Sequence, residues 1–183
     1  MALAVQQTIE SKSTLIAEAG TGTGKTFAYL IPAILSGKRV IVSTGTKNLQ
    51  DQLFGKDLKL VRDALAVPFQ AALLKGRSNY LCLYRLENTQ TFRSGHSRQD
   101  IAAMESIKRW AKHTESGDIA EVADVSESFP QWPQVTSTVE NCLGQECPNL
   151  AECFLVKARR NAQEAEVLVI KWCIWTLPRN PPA

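Results

Sequence analysis

In the N-terminal part of the chain, apolar segments lie on both sides of a glycine-rich segment. Residues 13–18 (STLIAE) have the pattern of a short strand, and residues 26–36 (TFAYLIPAILS) have apolar positions at helical spacing. Gly37 is a natural helix stop, and Pro32 is expected to kink the helix. The apolar run 39–43 (RVIVS) is typical of a buried parallel strand. Together these elements predict a right-handed βαβ unit with the glycine-rich loop after its first strand.

The pattern changes after Lys75, where an acidic region containing cysteines and prolines begins between helical stretches. We predict further helices over 47–54, 57–65, 81–92, 98–113 and about 150–162, and further strands over 69–74 and 166–170. Because a buried-strand pattern returns at 166–170, the cysteine region is predicted to be inserted between strands of one sheet. The sequence therefore predicts an α/β fold with a parallel sheet, interrupted by a mainly helical insertion.

This pattern divides the chain into four stretches. We expect residues 1–75 to begin a nucleotide-binding domain, residues 76–163 to form the insertion, and residues 164–170 to return to the sheet. Residues 171–183 (KWCIWTLPRNPPA) show no periodicity and end in prolines, so we predict an unstructured tail.

Composition narrows the class of protein. A chain of 183 residues with 44% hydrophobic and 21% charged residues has an ordinary globular composition and room for one core plus a small insertion. No apolar run could cross a bilayer and no signal sequence is visible, so we expect a cytoplasmic protein with no membrane partner. Eight acids and no Lys or Arg lie between Lys112 and Lys157. The remainder is basic, which fits a polyanion partner or simply a solvated surface.

The glycine-rich segment EAGTGTGKT has the residues of a phosphate-binding loop. Backbone N–H groups can converge on phosphate oxygens where glycines lie, a lysine can reach the β- and γ-phosphates, and a hydroxyl can bind Mg²⁺. Ala19 departs from the usual pattern, which has glycine there. The residues that we predict to bind nucleotide are Ala19, Gly20, Thr21, Gly22, Thr23, Gly24, Lys25 and Thr26.

Cysteine spacing predicts a metal site in the insertion. Cys142, Cys147 and Cys153 lie close together on a polar segment, and Cys82 lies far upstream at the edge of the same insertion. In a reducing compartment such cysteines are better read as ligands than as disulfides. Four thiolates suit zinc or an iron–sulfur cluster, and spacing alone does not choose between the two. Unligated core cysteines are the alternative.

Two polar segments are candidates for nucleic-acid contact. Thr44, Thr46 and Lys47 follow the strand over 39–43 and should lie at the same sheet edge as the phosphate loop. Thr46 could equally serve only as a helix cap. Arg77, in the segment KGRSNYLC, could contact a phosphate or simply pack the insertion.

Four segments in register resemble one family. The segments EAGTGTGKT, IVSTGTKNLQDQLF, LLKGRSNYLC and CLGQECPNLAECF make the chain similar to the DinG/YoaA branch of iron–sulfur helicases, relatives of XPD, and most like its YoaA members. The resemblance covers residues 1–170. It implies a superfamily 2 DNA helicase with a partial RecA-like domain, which hydrolyses ATP to move 5′ to 3′ on single-stranded or forked DNA in replication or repair, with protein partners there. It also implies a four-iron four-sulfur cluster in the insertion.

The resemblance assigns roles to individual residues. Lys25 and Thr26 match the family's ATP and Mg²⁺ contacts, and Thr44, Thr46 and Lys47 match its motif Ia, where the DNA backbone is expected. The four ligands of the cluster would be Cys82, Cys142, Cys147 and Cys153, which favours iron over zinc.

The chain also departs from the family. The strand over 166–170 should continue into Asn-His, and the Asp-Glu-x-His box that positions the attacking water is absent, so no catalytic residue is assigned. We expect an N-terminal fragment without hydrolysis or unwinding of its own, from a gene shifted or cut near codon 170. Alternatives are a stand-alone iron–sulfur module that binds DNA or a protein partner, a small P-loop ATPase or kinase with structural zinc, and a poorly folding product.

Overall fold

The computed structural model describes residues 1–89 and 97–171. Two compact units divide the chain. The first unit is Met1–Leu74 with the residues from Asn161 onward, and the second unit is Lys75–Arg160.

The first unit contains helices and a small parallel sheet. Its elements are α1 (Ala2–Ser11), α2 (Lys25–Leu35), β1 (Val40–Thr44), α3 (Lys47–Gln52), a π-turn (Leu53–Asp57), α4 (Leu58–Leu65), β2 (Ala71–Leu74) and β3 (Val167–Lys171). The strand order is β1-β3-β2, with both pairs parallel. Val42 pairs with Val169, and Leu74 pairs with Ile170. The sequence predicted these strands to within two residues, and the mixed α/β class with a partial RecA-like sheet is confirmed.

The central strand explains where the core lies. β3 has the sequence VLVIK, and its first four residues are all buried, as a strand with a neighbour on each edge requires. The core around it is built by residues of α2, the π-turn, α4, the segment before β2, and β3, which are Leu30, Ile34, Leu53, Leu58, Val61, Phe69, Val167 and Val169. α3, the π-turn and α4 follow one another directly, where the sequence predicted two separate helices.

One predicted strand is wrong. Residues 13–18 form no strand, and the side chain of Ile16 is 95% exposed. A β-strand needs a hydrogen-bonding neighbour, and within the described residues this segment pairs with neither edge strand of the sheet. The loop that follows therefore enters α2 from an extended, solvated segment, so the predicted βαβ unit lacks its first strand.

The second unit is mainly helical. Its elements are α5 (Leu83–Asn88), α6 (Arg98–Trp110), α7 (Trp132–Val135), the first part of α8 (Phe154–Glu164), and short 3₁₀ turns at Arg77–Asn79, Ile119–Glu121, Gly144–Glu146 and Leu150–Glu152. α6 begins with a reciprocal capping box between Ser97 and Asp100. The helices predicted over 81–92 and 150–162 are shorter at their starts than expected, and residues 90–92 lie outside the described residues, as does the predicted tail beyond 171.

The second unit has its own apolar core. Its buried members are Tyr80, Leu81, Met104, Ile107, Ile119, Val122, Val125, Trp132, Val135, Phe154 and Leu155. Trp110 and Phe129 pack against this core as partly buried residues, and Trp132 donates its indole N–H to the Ser126 carbonyl at 2.9 Å. Gly117 has a φ of +66°, and a Cβ there would lie 2.2 Å from Phe154, so only glycine fits.

A buried ion pair lies at the start of this unit. Lys75 Nζ and a carboxylate oxygen of Asp118 are 2.7 Å apart, and both side chains are largely buried. The Lys75 backbone N–H donates to the Tyr80 hydroxyl at 3.0 Å, and Tyr80 forms an antiparallel bridge with Asp118. These contacts join the segment from Lys75 to Tyr80 to Asp118, which lies far from it in the sequence.

Within the described ranges 1–89 and 97–171, no helix combines the length and apolar character needed to cross a bilayer.

Candidate functional site

The glycine-rich loop turns sharply into α2. Gly22 has a φ of +75° and Gly24, the N-cap residue of α2, has a φ of +74°. Residues with a Cβ rarely adopt this left-handed conformation, so glycine is needed at both positions. α2 begins at Lys25, one residue earlier than the sequence predicted. The turn places the loop at the positive end of the helix, an arrangement that favours anions.

The side chain of Lys25 folds back over the loop. Its Nζ donates to the carbonyl of Ala19 and, at 2.8 Å, to the carbonyl of Gly20. Thr23 Oγ1 also donates to the Gly20 carbonyl at 2.9 Å. A phosphate that binds here would compete with these two backbone carbonyls for the ammonium group.

Tyr29 lies one turn beyond the loop and was not identified from the sequence. Burial raises the pKa of this half-buried phenol, a hydrogen bond with the Thr26 side chain lowers it, and the charge of Asp57 raises it. The i, i+3 spacing of the two residues on a helix was the available sequence signal.

The segment after β1 is a compact helix cap. Thr46 Oγ1 accepts from the backbone N–H of Leu49 at 3.2 Å, and Thr44 Oγ1 donates to the Thr46 carbonyl at 3.1 Å. Lys47 follows as the first residue of α3. The capping role weighed for Thr46 is therefore present, and the hydroxyls of both threonines shape this turn.

The four candidate ligand cysteines all lie in the second unit. Cys82 is the N-cap residue of α5, Cys147 and Cys153 each end a 3₁₀ turn, and Cys142 lies shortly before the first of those turns. All four are free thiols of intermediate exposure.

The thiols lie within electrostatic range of one another. Burial raises the pKa of Cys82, the backbone N–H of Arg85 lowers it, and the charges of Cys147, Cys153 and Cys142 raise it. A thiolate there is costly while the other three are charged, unless a cation compensates. Among the residues that the structure describes, no three metal-binding side chains stand in an arrangement that could hold a metal ion.

Two arginines lie beside these thiols. Burial lowers the pKa of Arg159 and the charge of Arg77 lowers it further, whereas Cys142, Cys153 and Tyr80 raise it. Arg77 Nε is buried and has no hydrogen-bond partner among the described residues. The sequence identified Arg77 but missed Arg159, which lies on α8 six residues after Cys153.

A glycine-rich loop that opens a helix beside a parallel sheet defines the class of P-loop α/β proteins. The sequence profile of the DEAD/DEAH box helicase family matches residues 2–110, more than half of the chain. The chain therefore belongs to the DEAD/DEAH box helicase family.

Individual relatives agree with this assignment. The chain is 48% identical over 170 residues to the ATP-dependent DNA helicase YoaA of Haemophilus influenzae, and 49% identical over 170 residues to that of Escherichia coli. Each alignment covers 93% of this chain and 27% of the relative. The ATP-dependent helicase DinG of Mycobacterium tuberculosis is 40% identical over 192 residues, which cover 92% of this chain and 29% of that protein. The resemblance inferred from the motifs is confirmed, and the chain spans about a quarter of the length of these relatives.

Proposed function

We propose that this chain forms the ATP-binding N-terminal part of an ATP-dependent 5′ to 3′ DNA helicase of the DinG/YoaA type, acting in replication or repair. The observation that carries the proposal is the loop before α2, where two left-handed glycines and Lys25 stand at a helix N-terminus. Family membership supplies the rest, because DNA is the substrate named for the YoaA relatives.

ATP binding would use groups that the loop already presents. Backbone N–H groups of residues 20–25 would cradle the phosphates, and Lys25 would exchange the carbonyls of Ala19 and Gly20 for the β- and γ-phosphate oxygens. Thr26, the second residue of α2, would offer its hydroxyl oxygen to Mg²⁺. The sequence has no Asp-Glu-x-His box to orient an attacking water, so we propose that this span binds ATP without hydrolysing it.

A nucleotide titration tests the binding step. We expect a fluorescent ATP analogue with Mg²⁺ to bind the chain, and Lys25→Ala to weaken binding on the order of tenfold, because a charge-assisted contact is lost. Lys59→Ala is the matched control, since Lys59 is an exposed lysine on α4. Equal affinities for the Lys25→Ala variant and the unaltered chain would contradict the proposal. DNA-stimulated hydrolysis that Lys25→Ala abolishes would refute the binding-only role.

DNA contact is proposed for two basic residues and the turn between β1 and α3. Lys47 would supply the charge, while the bonded hydroxyls of Thr44 and Thr46 hold the turn that presents it. In the second unit, Arg77 would contact phosphate through its terminal guanidinium N–H groups, since its Nε is buried. We expect single-stranded oligonucleotide binding with a salt slope of several charges, and a lower slope in Lys47→Ala. A slope unchanged in that variant would remove Lys47 from the interface.

The four cysteines are proposed to hold a four-iron four-sulfur cluster. The chemistry of the donors supports this, because Cys82, Cys142, Cys147 and Cys153 are four free, partly exposed thiols that influence one another. Among the described residues the thiols do not stand in a metal-binding arrangement, so the cluster would have to draw them together. When bound, the cluster would supply a rigid cross-link among separate segments that guides DNA. Arg77 and Arg159 would offset part of the negative charge of the thiolates.

A binding module without catalysis is the second candidate function. The observation that favours it is that the sequence has no Asp-Glu-x-His box. Oligonucleotide affinity that is indifferent to added ATP would support this module over the nucleotide-driven function.

A further inference from the structure

Gln50 is a buried polar residue whose amide has two specific partners. Its side chain is 1% exposed, although glutamine is usually found at the surface. Nε2 donates to the Leu74 carbonyl at 2.9 Å and to the Val169 carbonyl at 3.3 Å. The two hydrogens of one side-chain amide can serve both acceptors, so the donor capacity of Nε2 is filled.

These two acceptors belong to neighbouring strands. Leu74 is the last residue of β2, and Val169 is the third of the five residues of β3, the strand between β1 and β2. Gln50 itself belongs to α3, which follows β1. One side chain thus joins the helix after β1 to the carboxyl end of β2 and to the middle of β3.

The start of the same segment is joined to the sheet in a similar way. Thr44 Oγ1 lies 3.1 Å from the Thr46 carbonyl and 3.5 Å from the Ile170 carbonyl. Thr46 then caps α3 through the N–H of Leu49. Residues 44–50 therefore approach the carboxyl ends of all three strands, with Gln50 as the fully buried member.

A buried apolar side chain would fill this position without requiring any partner. An amide there is favourable only while both carbonyls stay in place, because an unpaired buried polar group is costly. The two hydrogen bonds therefore select one placement of α3 relative to the strand ends. Apolar packing alone would not select a single placement, because it is not directional. Lys47 lies one turn earlier on the same helix and shares that placement.

We propose that Gln50 is a positioning residue for nucleic-acid binding, which holds Lys47 in a set position at the carboxyl ends of the strands. The inference rests on the proposed function, because it assigns Lys47 to the DNA contact. Gln50 acts through the helix and touches no phosphate itself.

The first test is a double-mutant cycle read by binding of a fluorescent oligothymidine. Gln50→Met keeps the length of the side chain and removes both donors, and Gln52→Met is the matched control, since Gln52 is an exposed glutamine on the same helix. We expect Gln50→Met to weaken binding about fivefold and Gln52→Met less than about twofold. In the Lys47→Ala background, Gln50→Met should have less than about a twofold effect. An equal loss in both backgrounds would indicate a general structural role and overturn the proposal.

The second test needs no DNA and separates the two proposals. Hydrogen exchange of the amides of residues 49–52 should be faster in Gln50→Met than in Gln52→Met, with exchange in α6 unchanged. If the unaltered chain fails to bind oligothymidine, the DNA function is lost and Gln50 is judged by exchange alone. Unchanged exchange in α3 overturns the positioning role in either case. If Gln50→Met does not fold, Gln50→Leu, which also lacks the amide donors, is read by the same criteria.

Discussion

The two units place their candidate chemistry in opposite ways. In the first unit the phosphate loop is eight consecutive residues, 19–26, on the surface, where a buried sheet and α2 support it. In the second unit three of the four thiols, Cys142, Cys147 and Cys153, lie on one segment, and the fourth, Cys82, comes from the start of α5 far upstream. The first arrangement depends on local backbone geometry, whereas the second depends on the fold of the whole insertion.

Their cores differ correspondingly. The first core is organised by β3, whose neighbours on both edges share its hydrogen bonds. Among described residues the second unit has only isolated bridges in place of a sheet. It relies on aromatic packing around Trp132 and on the Lys75–Asp118 ion pair. A small helical unit with such a core gains more from an added cross-link than a sheet does. Four predictions test this contrast.

The largest expected effect is loss of the metal centre from the second unit alone. Cys153→Ser removes one of four proposed ligands, so iron and acid-labile sulfide should fall from about four of each per chain to near zero. Affinity for the ATP analogue should stay unchanged, because the loop belongs to the other unit. Cys173→Ser, at the fifth cysteine of the sequence, is the control and should keep the metal. Full iron content in Cys153→Ser would remove it from the ligand set.

Breaking the buried ion pair should be next in size. Asp118→Asn removes the carboxylate charge that Lys75 Nζ faces at 2.7 Å, and disruption of a buried pair costs about 3 kcal/mol. The free energy of unfolding is measured in urea by tryptophan fluorescence. Asp124→Asn, at an exposed aspartate of the same unit, should change it little. A similar small change in both variants would show that the pair contributes no net stability.

A smaller effect is expected from the loop glycines. Gly24→Ala forces a Cβ into the left-handed region, at a cost of about 1 kcal/mol in the first unit. Gly20→Ala is the matched control, because its φ is not positive and its Cβ would lie 3.8 Å from Thr23 Cγ2, an ordinary contact. The unfolding free energy and the affinity for the ATP analogue are compared. Equal costs at the two positions would argue against backbone strain as the reason for glycine.

The smallest effect should come from the Tyr29 phenol. Its pKa is raised above the ordinary 10.0, chiefly by burial, so folding favours the protonated form. This stabilisation is complete below pH 10 and is lost as the pH rises through the raised pKa. The free energy of unfolding of the unaltered chain should therefore fall more steeply above pH 10 than that of Tyr29→Phe. Parallel curves would mean that the phenol has the same pKa in the folded and unfolded chains.

Local signals in the sequence anticipated much of the first unit. Glycines at 22 and 24 and the apolar spacing after Lys25 predicted the loop and α2, and continuous apolar runs predicted β1 and β3. The strand over 13–18 was wrong because the same apolar pattern forms a strand only when another strand supplies hydrogen bonds. Ile16 has no such neighbour in the described structure and is exposed.

Sequence by itself thus determined the phosphate loop, the helix that follows it, the buried character of β3 and the family to which the chain belongs. These features depend on the residue types within one loop, on the periodic spacing of apolar residues within one helix or strand, or on one sequence motif. Only the tertiary structure decided the partners of Gln50, the pairing of Lys75 with Asp118 and the approach of Arg159 to Cys142 and Cys153. Such contacts join residues far apart in the chain, and their energies depend on burial and orientation, which no local pattern of residues specifies.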